Sequence, residues 1–191
     1  MSKSVLVVMD YMNEIIHPQG KLSGKGYAKF QEEHKTLERV NQAIDYARSK
    51  DMEIVFVKLG FSQDYKEHNE ESILIGSAKK FGALKLGTWA TEFEQSLDFR
   101  KQDYVIVKHR MSPFYKTDLD SYLKNKGVSE VYLCGVATDL VVQSAARDAH
   151  DRDYKVIVLS DACTAASKEE HENALNNMAK FTSIKKIKNI T

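Results

Sequence analysis

Apolar residues in this chain fall into short, nearly unbroken runs: SVLVVMD at 4–10, MEIVFVK at 52–58, DYVIVKH at 103–109, EVYLCGV at 130–136 and KVIVLSD at 155–161. Each is rich in Val and Ile, the pattern of strands covered on both faces of a parallel sheet. Helical periodicity fills the intervals. FQEEHKTLERVNQAIDYARSK (30–50) places Leu37, Val40, Ile44 and Ala47 on one stripe, and TDLDSYLKNKG (117–127) opens with Thr117 as a cap and stops at Gly127. DLVVQSAARDAHDRD (139–153) and SKEEHENALNNMAKF (167–181) supply two more, the second with Ser167 and Glu170 in capping-box spacing. FTSIKKI (181–187) offers a sixth strand. Strands alternating with helices at this spacing predict an α/β fold: a doubly wound, mostly parallel six-stranded sheet with helices on both faces and right-handed crossovers. A length of 191 residues fits one domain spanning 1–191.

One stretch breaks the pattern. GFSQDYKEHNEESILIGSAKKFGALKLGTW (60–89) is longer than an ordinary connection and carries four glycines and the single Trp. Such a segment is a functional insertion, a lid or an interface arm.

Charge narrows the partners. With 28 Lys and Arg against 27 Asp and Glu, no net field draws the chain to nucleic acid or to an anionic membrane. A small-molecule substrate is the expected partner. No apolar run approaches the roughly 20 residues of a membrane span, and the first run meets Asp10 too early for a signal-peptide core, so a cytoplasmic location is expected. Cys134 and Cys163 each close a strand-like run, the setting of reduced, buried thiols rather than of a disulfide.

In a doubly wound sheet, ligands bind beyond the carboxyl ends of the strands, where strand order reverses. The polar residues at those ends are Asp10 with Asn13 a turn later, Lys58, Lys108 with His109 and Arg110, the Gly135–Asp139 turn, and Asp161. An acid and a lysine from different strands meeting there would stabilise each other's charged forms, and either would serve in proton transfer. Taken singly, each reads equally as a loop charge or a helix cap. Asp139 is expected to cap the following helix. His17, Pro18 and Gly20 read as a plain turn.

These residues resemble a known family. VLVVMDYMNE, VIVKHRMSPFYKTDLDSYL and VYLCGVATDLVVQSAARDAHDRDYKVIVLSDAC, in this order from about Val5 to Cys163, are similar to the isochorismatase-like cysteine hydrolases. That superfamily includes nicotinamidases, N-carbamoylsarcosine amidases and true isochorismatases. The resemblance implies the six-stranded fold, a homodimer or homotetramer, and a catalytic acid and lysine at Asp10 and Lys108. It also implies a cis peptide between Val136 and Ala137, and a site walled by Trp89, Phe114 and Tyr115, with Asn13 and Arg110 among its substrate contacts. In the family's amidases a cysteine two positions after the Asp of the G-V-A-T-D turn attacks a carbonyl carbon. Here that position is Val141. Cys134 and Cys163 do not inherit the helix start.

Nicotinamidases of the family also carry an Asp-x-His pair after the second strand. Asp64 and His68 have a different spacing and read as a solvated surface pair, so no metal and no cofactor are expected. Without the thiol, the resemblance leaves the chemistry of true isochorismatases as a precedent: an acid protonates the substrate and water attacks. The expectation is therefore a hydrolase using Asp10 as general acid on a vinyl ether, ester or amide, with Lys108 orienting substrate or stabilising charge and Arg110 pairing with a carboxylate. The alternative is a family member that binds a small molecule or a protein without turnover.

Overall fold

In the computed structural model, which describes residues 3–190, six strands form one parallel sheet in the order β3-β2-β1-β4-β5-β6. The strands are β1 (Lys3–Met9), β2 (Glu53–Leu59), β3 (Tyr104–Lys108), β4 (Val128–Val136), β5 (Lys155–Thr164) and β6 (Ser183–Lys185). Val5 to Met9 are all buried, so both faces of the central strand are covered. That burial is why the sequence runs are continuous rather than alternating.

The helices are α1 (Asn13–Ile16), α2 (Tyr27–His34), α3 (Thr36–Ser49), α4 (Ala78–Phe81), α5 (Leu119–Asn125), α6 (Gln143–His150) and α7 (Lys168–Met178). The stripe Leu37, Val40, Ile44 and Ala47 is buried in α3, which packs on β1, β2 and β5. The helical pattern read across 30–50 is broken, however, at Lys35, whose φ of 52° places it in the left-handed region between α2 and α3. A lysine there gives no sequence warning, since glycine is the usual marker of that conformation. Ser167 caps α7 by accepting from the Glu170 N–H at 3.2 Å, as its spacing predicts. The Thr117 hydroxyl accepts from the Leu119 N–H at 3.3 Å at the start of α5. Asp139 does not cap α6: a five-residue π-turn, Thr138–Val142, precedes that helix, and Asp139 makes no side-chain cap bond. Its Oδ1 is buried without a hydrogen-bond partner among the described residues.

Strand order reverses between β1 and β4, which are neighbours in space though far apart in sequence. They pack tightly at Gly135. A Cβ on this residue would lie 2.8 Å from both the Cβ and the carbonyl oxygen of Met9, one residue before Asp10. Gly135→Ala is therefore expected to force β1 and β4 apart where the candidate site lies, at a cost of about 1–3 kcal/mol. Chemical denaturation would check this; unchanged stability would mean that the two strands slide freely.

The 60–89 segment is tied down by its backbone. Phe61 N–H donates to Leu84 O and Leu86 N–H to Phe61 O, both at 2.8 Å, and the Tyr65 hydroxyl donates to Ala83 O at 2.8 Å. The buried carboxylate of Glu14, in α1, accepts from the Leu84 N–H at 3.2 Å and more loosely from the Lys21 N–H at 3.5 Å. The segment is thus clasped to the chain that follows β1. No helix among the described residues is long and apolar enough to cross a membrane.

Candidate active site

β1 ends in Asp10, whose φ of 61° is left-handed. Asp tolerates this conformation better than most residues, yet it remains an uncommon one. Its N–H extends the ladder to Val57 O at 2.9 Å, and its carbonyl accepts from the Met12 N–H at 2.8 Å, so the chain turns at once into α1. Lys108, at the end of β3, reaches across the edge of β2. Its Nζ lies 2.7 Å from Asp10 Oδ2 and donates to Arg110 O at 3.2 Å.

Both side chains are fully buried. Neither Asp10 carboxyl oxygen has an aligned hydrogen-bond donor among the described residues; Oδ2 is held by the ion pair and Oδ1 by no side chain. Burial pushes the Asp10 carboxyl above the usual carboxylate range, and Lys108 only partly offsets this through its charge and proximity. The acid and lysine read from separate strand ends thus form one buried pair, with one carboxylate oxygen left over.

Beside the pair, the peptide between Val136 and Ala137 is cis. Ala137 O accepts from two N–H groups, those of Val141 at 2.9 Å and Val142 at 3.1 Å. The amide of residue 141 is therefore already engaged within the turn. Thr138 bonds back to Thr164 O at 3.1 Å and to His171 Nδ1 at 2.9 Å, anchoring the turn to β5 and α7. The Tyr11 hydroxyl donates to Ala162 O at 2.8 Å, fixing the chain after Asp10 to the same strand.

A cavity of about 60 Å³ lies against Asp10, Val136, Ala137 and Val141. Its other walls are nearly all apolar, with Leu59, Leu140 and Tyr27 among them. Leu74, Ile75 and Leu84 of the 60–89 segment close it, and Lys25 stands at its rim. Of the readings open for that segment, this geometry is that of a lid.

The other candidate residues lie elsewhere. Asn13 spends its Nδ2 on Trp89 O at 2.9 Å, and Trp89 packs edge-on against His17 with about half its surface exposed. Arg110 donates to Glu67 O at 2.8 Å and to His109 O, fastening the lid to the end of β3. Phe114 is buried beside Tyr154 with the Arg152 guanidinium over its ring, and Tyr115 is half exposed. None of these five lines the cavity. Each is held off it by a partner of its own, Tyr115 by its outward position.

Lys58 sits over the Phe93 ring, His109 bonds Gly60 O, and Asp161 accepts from the Ile187 N–H at 3.0 Å. Asp64 contacts Ser62 and Lys66, while His68 Nε2 bonds Ile75 O at 2.8 Å, so the two do not form a ligand pair. Among the described residues no group of three or more His, Cys, Asp and Glu could hold a metal ion. Cys134 and Cys163 are fully buried, and burial pushes the Cys163 thiol up to about 12 and Cys134 well above its ordinary range. Neither lines the cavity.

The wall residues Lys25, Tyr27, Leu74, Ile75 and Leu84, together with the Glu14 clasp, were not legible as site residues. An acid among hydrophobes in NEII (13–16) is the one signal that pointed to Glu14.

Comparison with known proteins agrees with this architecture. The family model described as "Isochorismatase domain" matches residues 4–185. YecD of Escherichia coli O157:H7, an isochorismatase family protein, is 31% identical over 163 residues, covering 82% of this chain and 85% of that one. A ureidoacrylate amidohydrolase, RutB of Methylorubrum extorquens, is 30% identical over 191 residues, covering 93% and 77% respectively. Among solved structures, an isochorismatase-like hydrolase from Alkaliphilus metalliredigens superposes with a TM-score of 0.83 at 27% identity, over 98% of this chain and 97% of that one.

Proposed function

The chain belongs to the isochorismatase-family hydrolases, and from that premise we propose that it hydrolyses a small molecule by acid and water chemistry at Asp10, with no covalent thiol intermediate. The observation that carries the proposal is the buried Asp10–Lys108 pair with its unpartnered Oδ1 beside a cavity in which residue 141 is valine.

Asp10, held above the ordinary carboxylate range by burial, carries the proton. It delivers that proton to the carbon of an enol ether, or to the leaving atom of an ester or amide. Water adds to the electron-poor carbon and yields its own proton to the Asp10 carboxylate, which restores the acid; the hemiacetal formed from an enol ether then collapses to a carbonyl compound and an alcohol, and with an ester or amide the C–O or C–N bond to the protonated leaving atom breaks, releasing the alcohol or amine and a carboxylic acid. Lys108 holds Oδ2, so the orientation of the carboxyl is fixed and Oδ1 is the oxygen left to act. Val141 supplies an apolar wall where the family's amidases place their thiol.

A panel of p-nitrophenyl esters, anilides and aryl vinyl ethers tests this reading in stopped flow. Turnover is expected without a pre-steady-state burst and unaffected by prior iodoacetamide treatment, because the thiols are buried and hold their protons. A burst, or stoichiometric inactivation by the alkylating agent, would overturn the cysteine-free mechanism.

A second reading is favoured by a specific observation: the cavity is walled mostly by hydrophobes, with Asp10 and Lys25 its charged residues. In that reading the protein binds a ligand without turnover. Ligand-induced thermal stabilisation with no product across the panel would select it.

A further inference from the structure

The cavity at Asp10 adjoins a second space. Leu22, Lys25, Leu74, Ile75 and Leu84 line it and also line a second, larger space of about 450 Å³ on the outer side of the lid. This outer groove is completed by Ala78 and Phe81 of α4 and by Ala83. Its lining is dominated by aliphatic and aromatic side chains, and no Asp or Glu contributes to it.

Phe81 and Leu74 are exposed along it, a state that costs solvation free energy unless something covers them. Two lysines border the groove. The Lys21 ammonium is spent on the carbonyls of Phe81 and Gly82, at 2.8 and 2.9 Å, where it pins the end of α4. Lys25 is the charged residue common to both spaces. The two spaces therefore differ in kind: a tight chamber with one buried carboxyl, and a long apolar trough outside it with a cation at the junction.

We propose that the two spaces hold one amphipathic substrate, an acyl compound whose small hydrolysable head sits at Asp10 and whose alkyl tail lies in the groove between Leu74 and Phe81. The proposal rests on the hydrolase reading for the identity of the head, but the tail site stands on the groove alone. Shared walls argue for one ligand, because the chamber is much the smaller of the two spaces and Leu22, Leu74, Ile75 and Leu84 border both. Electrostatics argue against a dicarboxylate of the chorismate type. Lys108 is committed to Asp10, and Lys25 is the one other cation on the chamber wall. An uncharged carboxamide or ester head, or one with a single carboxylate facing Lys25, meets no unpaired charge.

The test measures binding apart from turnover. Straight-chain primary carboxamides from butanamide to decanamide are titrated by calorimetry into Asp10→Asn protein, which lacks the proposed acid. Each methylene entering the groove is expected to tighten binding about three- to fourfold, with the gain levelling off once the tail passes Phe81. Phe81→Asp, a change at an exposed position that borders the groove but not the chamber, is expected to flatten this dependence while leaving butanamide binding unchanged. Ala78→Trp fills the groove by a different route and is expected to do the same.

Affinity independent of chain length in the parent protein would overturn the proposal. So would a length dependence that survives both variants. Length-independent binding combined with an oligomer that Phe81→Asp dissociates, read by sedimentation, would assign the groove to a second copy of the chain instead. A chain-length dependence abolished by Phe81→Asp, with no hydrolysis of any substrate by the wild type, supports the tail site and overturns only the acid and water reading.

Discussion

Asp10→Asn is expected to lower turnover by roughly 10²- to 10⁴-fold, the usual range for losing a positioned general acid. The substitution is isosteric and leaves the cavity walls unchanged, so binding of an uncharged ligand is expected to persist. Its structural cost comes from Lys108, whose ammonium remains fully buried with Arg110 O as its hydrogen-bond acceptor. Asparagine gives the buried ammonium a weaker partner than the carboxyl does, so the melting temperature is expected to fall. The double variant Asp10→Asn/Lys108→Met removes the buried ammonium as well, and its stability is expected to recover most of that loss. Activity is expected to remain absent in the double variant. That split separates the two roles: stability returns when the buried ammonium goes, whereas catalysis does not return without the acid. Wild-type rates in Asp10→Asn, with substrate binding intact, would remove Asp10 from the chemistry.

Much of this arrangement was readable from the chain because of where parallel strands bury their side chains. Val5–Met9 and Val55–Val57 are covered on both faces, so the strands appear as uninterrupted apolar runs, and the strand ends stand out as the first polar residues. The rule that ligands bind beyond the strand ends then marks Asp10 and the Gly135–Asp139 turn among several polar candidates, and it is the family resemblance that singles out Lys108 from Lys58, His109 and Arg110.

The lid was not readable in the same way. Leu74, Ile75 and Leu84 sit in a segment without periodicity, and their positions depend on contacts far away in sequence, such as Leu84 N–H to Glu14 and Tyr65 to Ala83 O. The left-handed residues Asp10, Lys35 and Leu84 carry no glycine to mark them. Aromatic and basic character also proved a poor guide to the cavity rim. Trp89, Phe114, Tyr115 and Arg110 are the side chains such a site is expected to recruit, yet three of them have nearer partners and Tyr115 faces outward, while plain aliphatic residues line the chamber.

The pH behaviour of Lys108→Met distinguishes an acid at Asp10 from a base. In the wild type, Lys108 opposes the burial that raises the carboxyl, so replacing it with a neutral side chain of similar length leaves burial unopposed and moves the Asp10 pKa further up. If Asp10 works protonated, Lys108→Met is expected to remain active at neutral pH, and the alkaline fall in kcat is expected to move to higher pH than in the wild type. If Asp10 worked ionised, the same variant would lose activity at neutral pH and regain it only under more alkaline conditions.

Stability provides an independent reading of the same titration. The folded pKa of Asp10 lies above its ordinary value of 3.8. The stabilising contribution of the bound proton is therefore complete below that value and is lost as pH climbs through the folded pKa. Removing Lys108 moves the upper edge of this window upward, so the melting temperature of the variant is expected to keep falling at pH values where the wild type has levelled off. The two measurements must agree on one group: an alkaline limb of kcat and a loss of stability that move together belong to Asp10, whereas a limb that stays in place while the stability curve shifts would assign the catalytic proton to another residue.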